Sequence, residues 1–406
     1  EKGRTVRIGM VLDKRFPPDA RVENEAVTLV KNNHEVFLLC YDFRNSLPKI
    51  EIYKGIKILR IAKTKKWANR GRGLINTPFD YYSRFWELNI SYYVKENTID
   101  VLHIHDLYLL GAGLKSQQKS KIPIIADLHE NYVEGLKHYK FANTFPGKYI
   151  ISIPKWEKRE IEWCQSADHI ITVIDEAANR YQNLGIQNNK IHVVANYVNI
   201  NEVLSFPIDP SIKNNYRKYF VITYVGGFDT HRGLESIIRA IPLIVDYCKN
   251  LKLVLVGYGR NYTDLTKLVK SINVQQYVDF IGYQPAKNLP SYISASDICL
   301  IPHLKTIHTD NTIPHKLFHY MLFQKPVVAS NCNPIERIIK ETNCGKIYPS
   351  MNSVEFAKSI HALFADPELR STLGRNGKIA VYKKYNWEQT SKTLLKLYNK
   401  INLNDK

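Results

Sequence analysis

Nowhere in the 406 residues does an apolar run reach the length of about 18 that a membrane-spanning helix needs. A chain that crosses a bilayer as a helix is therefore not expected. Low-complexity tracts are missing too, and with 44% apolar and 23% charged residues the composition excludes a disordered or collagen-like chain. Cysteine is sparse: Cys40, Cys164, Cys248, Cys299, Cys332 and Cys344 form no CxxC pair and no spacing typical of a zinc site or a disulfide framework. Buried free thiols in a reducing cytosol are the expectation, and with them a cytoplasmic location. The opening Glu1-Lys2-Gly3-Arg4-Thr5 runs straight into an apolar strand pattern, without the charged, apolar and small-residue succession of a secretory leader. Acidic residues are short, 38 against 57 Lys and Arg, leaving a formal charge of +19. Such an excess implies an anionic partner, whether nucleic acid, phospholipid or a phosphorylated substrate. No RRM, KH, zinc-finger or helix-turn-helix signature accompanies it, so no nucleic-acid partner is expected.

What the chain has in quantity is alternation. Short β-branched runs alternate with longer amphipathic stretches, the pattern of strand, helix, strand units and a parallel sheet. At roughly 150 residues per domain the length allows two or three cores, and the pattern occurs twice. The first series predicts strands at 6–12, 35–40, 56–61, 101–105, 122–128, 169–173 and 190–194, with a helix over about 22–32. The second predicts strands at 220–225, 251–256, 278–281, 298–301, 326–329 and 345–348. Between them 199–218, with Pro207, Pro210 and many polar residues, reads as an interdomain linker. The expectation is an α/β protein of two Rossmann-like doubly wound parallel-sheet domains facing across a cleft, with ligands at the carboxyl ends of the strands.

Three successive strands of the second series end in glycine. The first gives Tyr224-Val225-Gly226-Gly227-Phe228-Asp229-Thr230-His231-Arg232-Gly233, the second Val256-Gly257-Tyr258-Gly259-Arg260, the third Ile281-Gly282-Tyr283-Gln284-Pro285. Glycine at a strand-to-helix turn lets backbone N–H groups approach a phosphate, and Arg232 can clamp it. An ordinary turn needing positive φ has the same appearance. Neither GxGxxG nor a P-loop is present. Then follows Asp310-Asn311-Thr312-Ile313-Pro314-His315-Lys316-Leu317-Phe318-His319-Tyr320-Met321, leading into Gln324-Lys325-Pro326-Val327-Val328-Ala329.

In order and spacing these segments resemble the retaining family-4 glycosyltransferases of the GT-B fold, where a VGG or VGR turn with a (K/R)G pair precedes LVGxG, FxG…LPxxYxxAD and PxKLFEYMxxGKPVV. The first domain carries a looser likeness. It lies in Asp13 to Ala26, in His103-Ile104-His105-Asp106, in Ala126-Asp127-Leu128-His129-Glu130 and in Val193-Val194-Ala195-Asn196-Tyr197-Val198-Asn199. The resemblance covers about residues 5–390. It implies an acceptor domain at 1–200, a nucleotide-sugar donor domain at 201–385, and a chain end at 386–406 whose helix returns to the first domain, with Trp387 as packing anchor. It further implies transfer of a sugar from a nucleotide diphosphate to an acceptor hydroxyl with retention, in surface polysaccharide or glycoconjugate synthesis. An epimerase of the same fold and a sugar-nucleotide-binding protein with weak turnover are the alternatives.

Residue by residue, the resemblance implies His129, Arg232 and Lys316 as catalytic. Donor contacts would come from Gly226, Gly227, Arg232, Gly257, Arg260, Gly282, Tyr283, Asp310, Asn311, Thr312, Lys316, Leu317 and His319. The acceptor side would hold Arg15, Asp19, Arg21, His105, Asp106, His129 and Glu130. The match departs from the family in two places. Gly227 stands where many relatives carry a second phosphate-binding Arg, a contact either missing here or supplied from elsewhere, with Arg260 the candidate. His319 and Asn311 occupy the two positions of the family's Glu-x7-Glu pair. A neutral imidazole still bonds a ribose hydroxyl and an amide a sugar hydroxyl, and Asp310 is a substitute carboxylate or else a solvated loop residue. No metal and no cofactor is expected. His105 with Asp106 is too small a ligand set for zinc.

Between Glu51 and Asp80 lie Lys54, Lys57, Arg60, Lys63, Lys65, Lys66, Arg70 and Arg72 with no acid, interleaved with Trp67 and followed by Tyr81, Tyr82, Phe85 and Trp86. Cations with interfacial aromatics suit an anionic membrane surface and a lipid-linked acceptor. A solvated basic loop before an amphipathic helix is the competing reading.

Overall fold

The computed structural model describes residues 5–138 and 140–401. The chain divides into two α/β units, one built from Glu1–Asn196 with Thr390–Lys406, the other from Tyr197–Gln389. In the first, β1 (Arg7–Arg15), β2 (Glu35–Asp42), β3 (Ile50–Tyr53), β4 (Ile56–Ala62), β5 (Val101–His105), β6 (Ile124–Leu128), β7 (His169–Thr172) and β8 (Ile191–Val193) form one sheet in the order β3-β4-β2-β1-β5-β6-β7-β8. Every pairing is parallel except β3 on β4. In the second, β9 (Phe220–Val225), β10 (Leu251–Val256), β11 (Val278–Gly282), β12 (Ile298–Ile301), β13 (Val327–Ser330) and β14 (Gly345–Tyr348) run parallel in the order β11-β10-β9-β12-β13-β14. Strands covered on both faces cannot alternate, which is why β5, β6, β9 and β12 are buried at every residue.

The helices begin where the sequence supplies caps. Asp19 accepts from Val22 N at the start of α1 (Ala20–Lys31), Thr64 from Trp67 N at α2 (Lys65–Gly73), and Asp80 from Ser83 N at α3 (Tyr81–Glu96). The same chemistry corrects the reading of 199–218 as a linker. Asn199 caps the helix Ile200–Leu204 and Asp209 caps Pro210–Tyr216, with proline at its favoured first turn. Both belong to the second unit, tied there by Asp209 N to Ser291 and Tyr216 Oη to Asp279. At the chain end, the helix Trp387–Lys400 starts in the second unit and lies in the first from Thr390 on. Ala195 N donates to Thr390 Oγ1, and Tyr398 Oη lies 2.8 Å from His103 Nδ1. Trp387 is buried, its N–H donating to Val198 O within the second unit. All six cysteines are free and buried.

The stretch from Glu51 to Asp80 is not the bare basic surface its composition suggests. Arg60 is buried, donating to Phe16 O at 3.2 and 3.1 Å and to Glu51 at 2.6 Å. Lys57 pairs with Glu35 at 2.7 Å and Lys54 with Glu23. Arg72 donates to Asp13 at 2.8 Å, and the Tyr82 hydroxyl bonds the same carboxylate. Tyr82 and Trp86 are core residues. Among the described residues, Lys65, Lys66 and Arg70, all on α2, are the exposed cations of this stretch with no carboxylate partner, while Lys54 and Lys57 are exposed but paired.

Asp13 is wholly buried, so removing its partner strands a charge. Arg72→Ala should therefore destabilise the first unit by about 3 kcal/mol, read as a lower urea midpoint. An unchanged midpoint would show that the pair contributes nothing.

Candidate functional site

In doubly wound sheets a ligand crevice opens where strand order reverses, here beside the ends of β9 and β12 in the second unit and of β1 and β5 in the first. At the end of β9, Gly226 has φ 142°, and a Cβ there would stand 2.5 Å from Lys316 Nζ. At the end of β10, Gly257 has φ 144°, and its Cβ would lie 1.9 Å from Gly226 O. These two must be glycine for the turns to close on Lys316. Gly227 is under no such pressure, its Cβ direction meeting only Asp229 Oδ2 at 3.4 Å. Gly226 N donates to Val256 O and Gly257 N to Gly282 O, so these N–H groups are committed to the sheet frame. Neutralising an anion falls to side chains.

Lys316 opens the helix Lys316–Leu322 and lays its ammonium 3.8 Å from the centroid of the Tyr224 ring. Its Nζ is buried and has no hydrogen-bond partner. Arg232 donates through Nη1 to His303 Nε2 at 3.1 Å, while its Nε is buried and unpartnered. No carboxylate pairs with either cation among the described residues. Burial, with Arg232 beside it, pulls the Lys316 ammonium well below the usual lysine range. His231 and His308 complete the group, the His231 ring lying 6.5 Å from His303 and 6.0 Å from His308. Burial first, and then the neighbouring cations, hold His303 far down and His231 at about 4, so both are neutral near pH 7.

Around this centre the remaining donor-side candidates are placed unevenly. His319 is on the same helix as Lys316, its imidazole held neutral by burial with a pKa of about 4. Leu317 is core. Asp310 is not a free carboxylate: Oδ1 accepts from Asn333 N at 2.7 Å at the start of the helix Asn333–Thr342. The Asn311 amide donates to Ile307 O at 2.8 Å and the Thr312 hydroxyl to His308 O at 3.2 Å. Arg260 stands apart, 83% exposed and 3.9 Å from Asp229, and Tyr283 beyond Gly282 is 79% exposed. The sequence reading missed His231, His303 and His308 because single histidines in loops carry no motif. His303 was nevertheless traceable, since it follows β12 directly at the point where the sheet reverses.

The first unit builds a different site. Asp127, at the end of β6, is fully buried and gathers four groups: Arg21 Nη2 at 2.6 Å, His129 Nε2 at 2.9 Å, His105 Nδ1 at 3.0 Å and His103 Nε2 at 3.5 Å. Asp106 follows β5 with φ 72° and ψ 141°, a conformation rare outside glycine, held by its N–H to Asp127 O and by three side chains on its carboxylate. These are Tyr108 Oη at 2.8 Å, Lys14 Nζ at 3.1 Å and His129 Nδ1 at 3.4 Å. Burial raises the Asp106 pKa, but His129 and Lys14 outweigh it and bring the group down to about 2. Burial lowers His129, and its two carboxylates more than reverse that, leaving it above the usual histidine range. Both His129 nitrogens thus face carboxylates. A cavity of about 870 Å³ opens above them, lined by Lys14, Asp106, His129 and Glu130 at its polar end and by Tyr108, Tyr132, Leu74, Ile150 and Ile151 along its walls.

Four acceptor-side candidates are not in this cavity wall. Arg21 is buried beneath it, bridging Asp127 and Glu25 and donating to Val194 O. Arg15 turns to Asp42 and Ser46, and Asp19 caps α1. His105 is buried below His129. Ligand atoms of Glu25, His103, His105 and Asp127 converge within 4.8 Å, a donor set a metal could use. The Arg21 guanidinium already lies on both of its carboxylates.

Comparison with known proteins adds to this geometry. A model described as Glycosyltransferase Family 4 matches residues 20–202, and one described as Glycosyl transferases group 1 matches 205–380. An uncharacterised glycosyltransferase of Methanocaldococcus jannaschii is 24% identical over 91% of this chain and 90% of its own. Phosphatidyl-myo-inositol mannosyltransferase of Mycolicibacterium smegmatis is 21% identical over 76% and 73%. HepE of Anabaena, solved in complex with UDP-glucose, superposes with a TM-score of 0.71 at 14% identity, covering 97% of this chain and all of that one. That last likeness is one of fold, the two α/β domains of the GT-B class.

The elevated His129 pKa carries a pH signature. A raised histidine contributes stability that is complete below its ordinary value of about 6.5 and is lost as pH rises through the raised one. The urea midpoint of the first unit should fall as pH is raised across that window, and His129→Gln should flatten the slope. An equal slope in wild type and variant would contradict the placement of His129 between Asp106 and Asp127.

Proposed function

Because this chain belongs to the family 4 glycosyltransferases, we propose that its second unit binds the diphosphate of a nucleotide-sugar donor on Lys316 and Arg232 and that its first unit binds an acceptor hydroxyl in the cavity over His129. The observation that carries the reading is a pair of half-buried cationic side chains whose Lys316 Nζ and Arg232 Nε are buried without a hydrogen-bond partner or an anion. A buried ammonium and guanidinium nitrogen with no partner are costly in a finished protein, and a diphosphate supplies the missing charge. Transfer breaks the bond from the anomeric carbon to the diphosphate and forms one to the acceptor oxygen, whose hydroxyl proton passes to the departing diphosphate. Negative charge grows on the departing diphosphate, so fixed cations there stabilise the transition state more than the ground state.

The smaller roles follow from position. His303 holds the Arg232 guanidinium by accepting from Nη1, and His319, neutral on the helix of Lys316, suits a ribose hydroxyl. In the first unit a sugar hydroxyl would replace Asp106 as partner of His129 Nδ1, the longer of its two contacts. Asp310 and Asn311 are engaged by the backbone, so the sugar-binding carboxylate of the resemblance has no direct replacement at those positions. The consequence is weaker hold on the donor sugar, not loss of the diphosphate site. Retention of configuration and a product in glycoconjugate or polysaccharide synthesis complete the proposal, as expected of the family. UDP-glucose bound to HepE and the lipid acceptor named for the mycobacterial mannosyltransferase support the two substrate classes.

Thermal denaturation with UDP, GDP and ADP tests the donor half. At about a hundredfold excess over Kd one of them should stabilise by about 2.7 kcal/mol, a rise in Tm of roughly 5–10 °C. Lys316→Ala should abolish the rise. No response to any of the three, or an equal response in the variant, would remove the assignment.

A further inference from the structure

The cavity over His129 has two unlike walls, and both continue onto the surface. One is α2, where Asn69, Arg70 and Gly73 line the opening. Lys66 and Arg70, four residues apart on one helical face, extend that wall outward. Both are exposed, and neither pairs with a carboxylate among the described residues. The facing wall is Pro146, Gly147, Ile150 and Ile151. Beside it Phe145 is 82% and Tyr149 74% exposed, their rings 6.4 Å apart, with Lys148 Nζ 4.8 Å over the Tyr149 ring.

Nothing in the packing of the first unit accounts for this aromatic pair. Phe145 and Tyr149 lie outside the hydrophobic core, while Ile151 and Ile153, a few residues on, pack against it. Two large rings in water, flanked by unneutralised cations at the mouth of an apolar-walled cavity, match the boundary of an anionic bilayer, where rings enter the headgroup layer and cations face it. The polar end, with His129, Asp106 and Glu130, lies inside the cavity. An acceptor seated there is polar at its hydroxyl end, anionic at the level of Arg70, and apolar between Ile150 and Leu74.

We propose that the mouth formed by Lys66, Arg70, Phe145 and Tyr149 rests on an anionic lipid surface and draws from it a membrane amphiphile as glycosyl acceptor. The acceptor's role depends on the transferase reading; the surface binding does not, and can be measured without it. The exposed cations and aromatics come from segments about 75 residues apart, which is why the basic stretch alone was a misleading guide. Lys54, Lys57, Arg60 and Arg72 face inward acids, whereas the aromatics that complete the surface lie beyond β6.

Flotation of the full chain with vesicles of phosphatidylcholine, with and without phosphatidylglycerol, tests it. Wild type should bind the anionic vesicles. Lys66→Ala with Arg70→Ala should weaken that binding roughly 30-fold, two cations' worth, and Phe145→Ser with Tyr149→Ser should weaken it on its own. Monomeric dodecyl phosphate should compete with the vesicles and inorganic phosphate should not. Both double variants should keep the nucleoside diphosphate response in Tm, which shows the fold intact and separates this proposal from the donor assignment. Failure of wild type to bind anionic vesicles, undiminished binding by both variants, or capture of a mixed-sequence oligonucleotide in place of vesicles would overturn it.

Discussion

Two cationic side chains with buried, unpartnered nitrogens, Lys316 Nζ and Arg232 Nε, are the constraint around which the second unit is organised. Gly226 is glycine because any side chain would strike Lys316 Nζ, and Gly257 is glycine because the next turn must close on Gly226. The Tyr224 ring carries the ammonium, and His303 carries the guanidinium. Two neutral imidazoles, His303 and His231, stand beside them where carboxylates would have been the simpler way to balance charge. A carboxylate there would settle the site permanently; histidine leaves it open for an anion that comes and goes.

The first unit follows the opposite rule. Each of its deeply placed cations is matched: Arg21 by Asp127 and Glu25, Arg72 by Asp13, Arg60 by Glu51, and Lys14 by Asp106. A cavity floored by balanced charge has hydrogen-bonding capacity but no standing demand for an anion, which is what a hydroxyl-bearing acceptor requires. On the proposed reading, this difference in charge balance, more than any single residue, suits the second unit to a donor diphosphate and the first to an acceptor hydroxyl.

Much of this was legible in the sequence, for identifiable reasons. Strands buried on both faces carry mostly apolar residues, so β5, β9, β10 and β12 fall where the sequence pattern puts them. β3 was missed because Ile50-Glu51-Ile52-Tyr53 is a short edge strand with both isoleucines exposed. The segment 199–218 was misread because its prolines and polar residues suggest a linker, although Asn199 and the Asp209-Pro210 pair are also helix-start signals. Arg232, Lys316 and His129 came from motifs; the first two lie in the segments after β9 and β12, and His129 lines the cavity of the first unit. What the sequence did not disclose is pairing across long separations: Arg72 with Asp13 and Arg21 with Asp127 turn apparent surface or acceptor-side cations into core, and no local pattern announces that.

The central claim is that an incoming diphosphate supplies the charge Lys316 lacks. Burial keeps that ammonium easily deprotonated, and an anion beside it reverses the effect. Calorimetric titration of a nucleoside diphosphate near neutral pH, repeated in buffers of different ionisation enthalpy, measures affinity and proton uptake together. Most of the affinity should be lost in Lys316→Met, and the proton balance of binding should change with it. Binding of undiminished affinity and the same proton balance in that variant would contradict it.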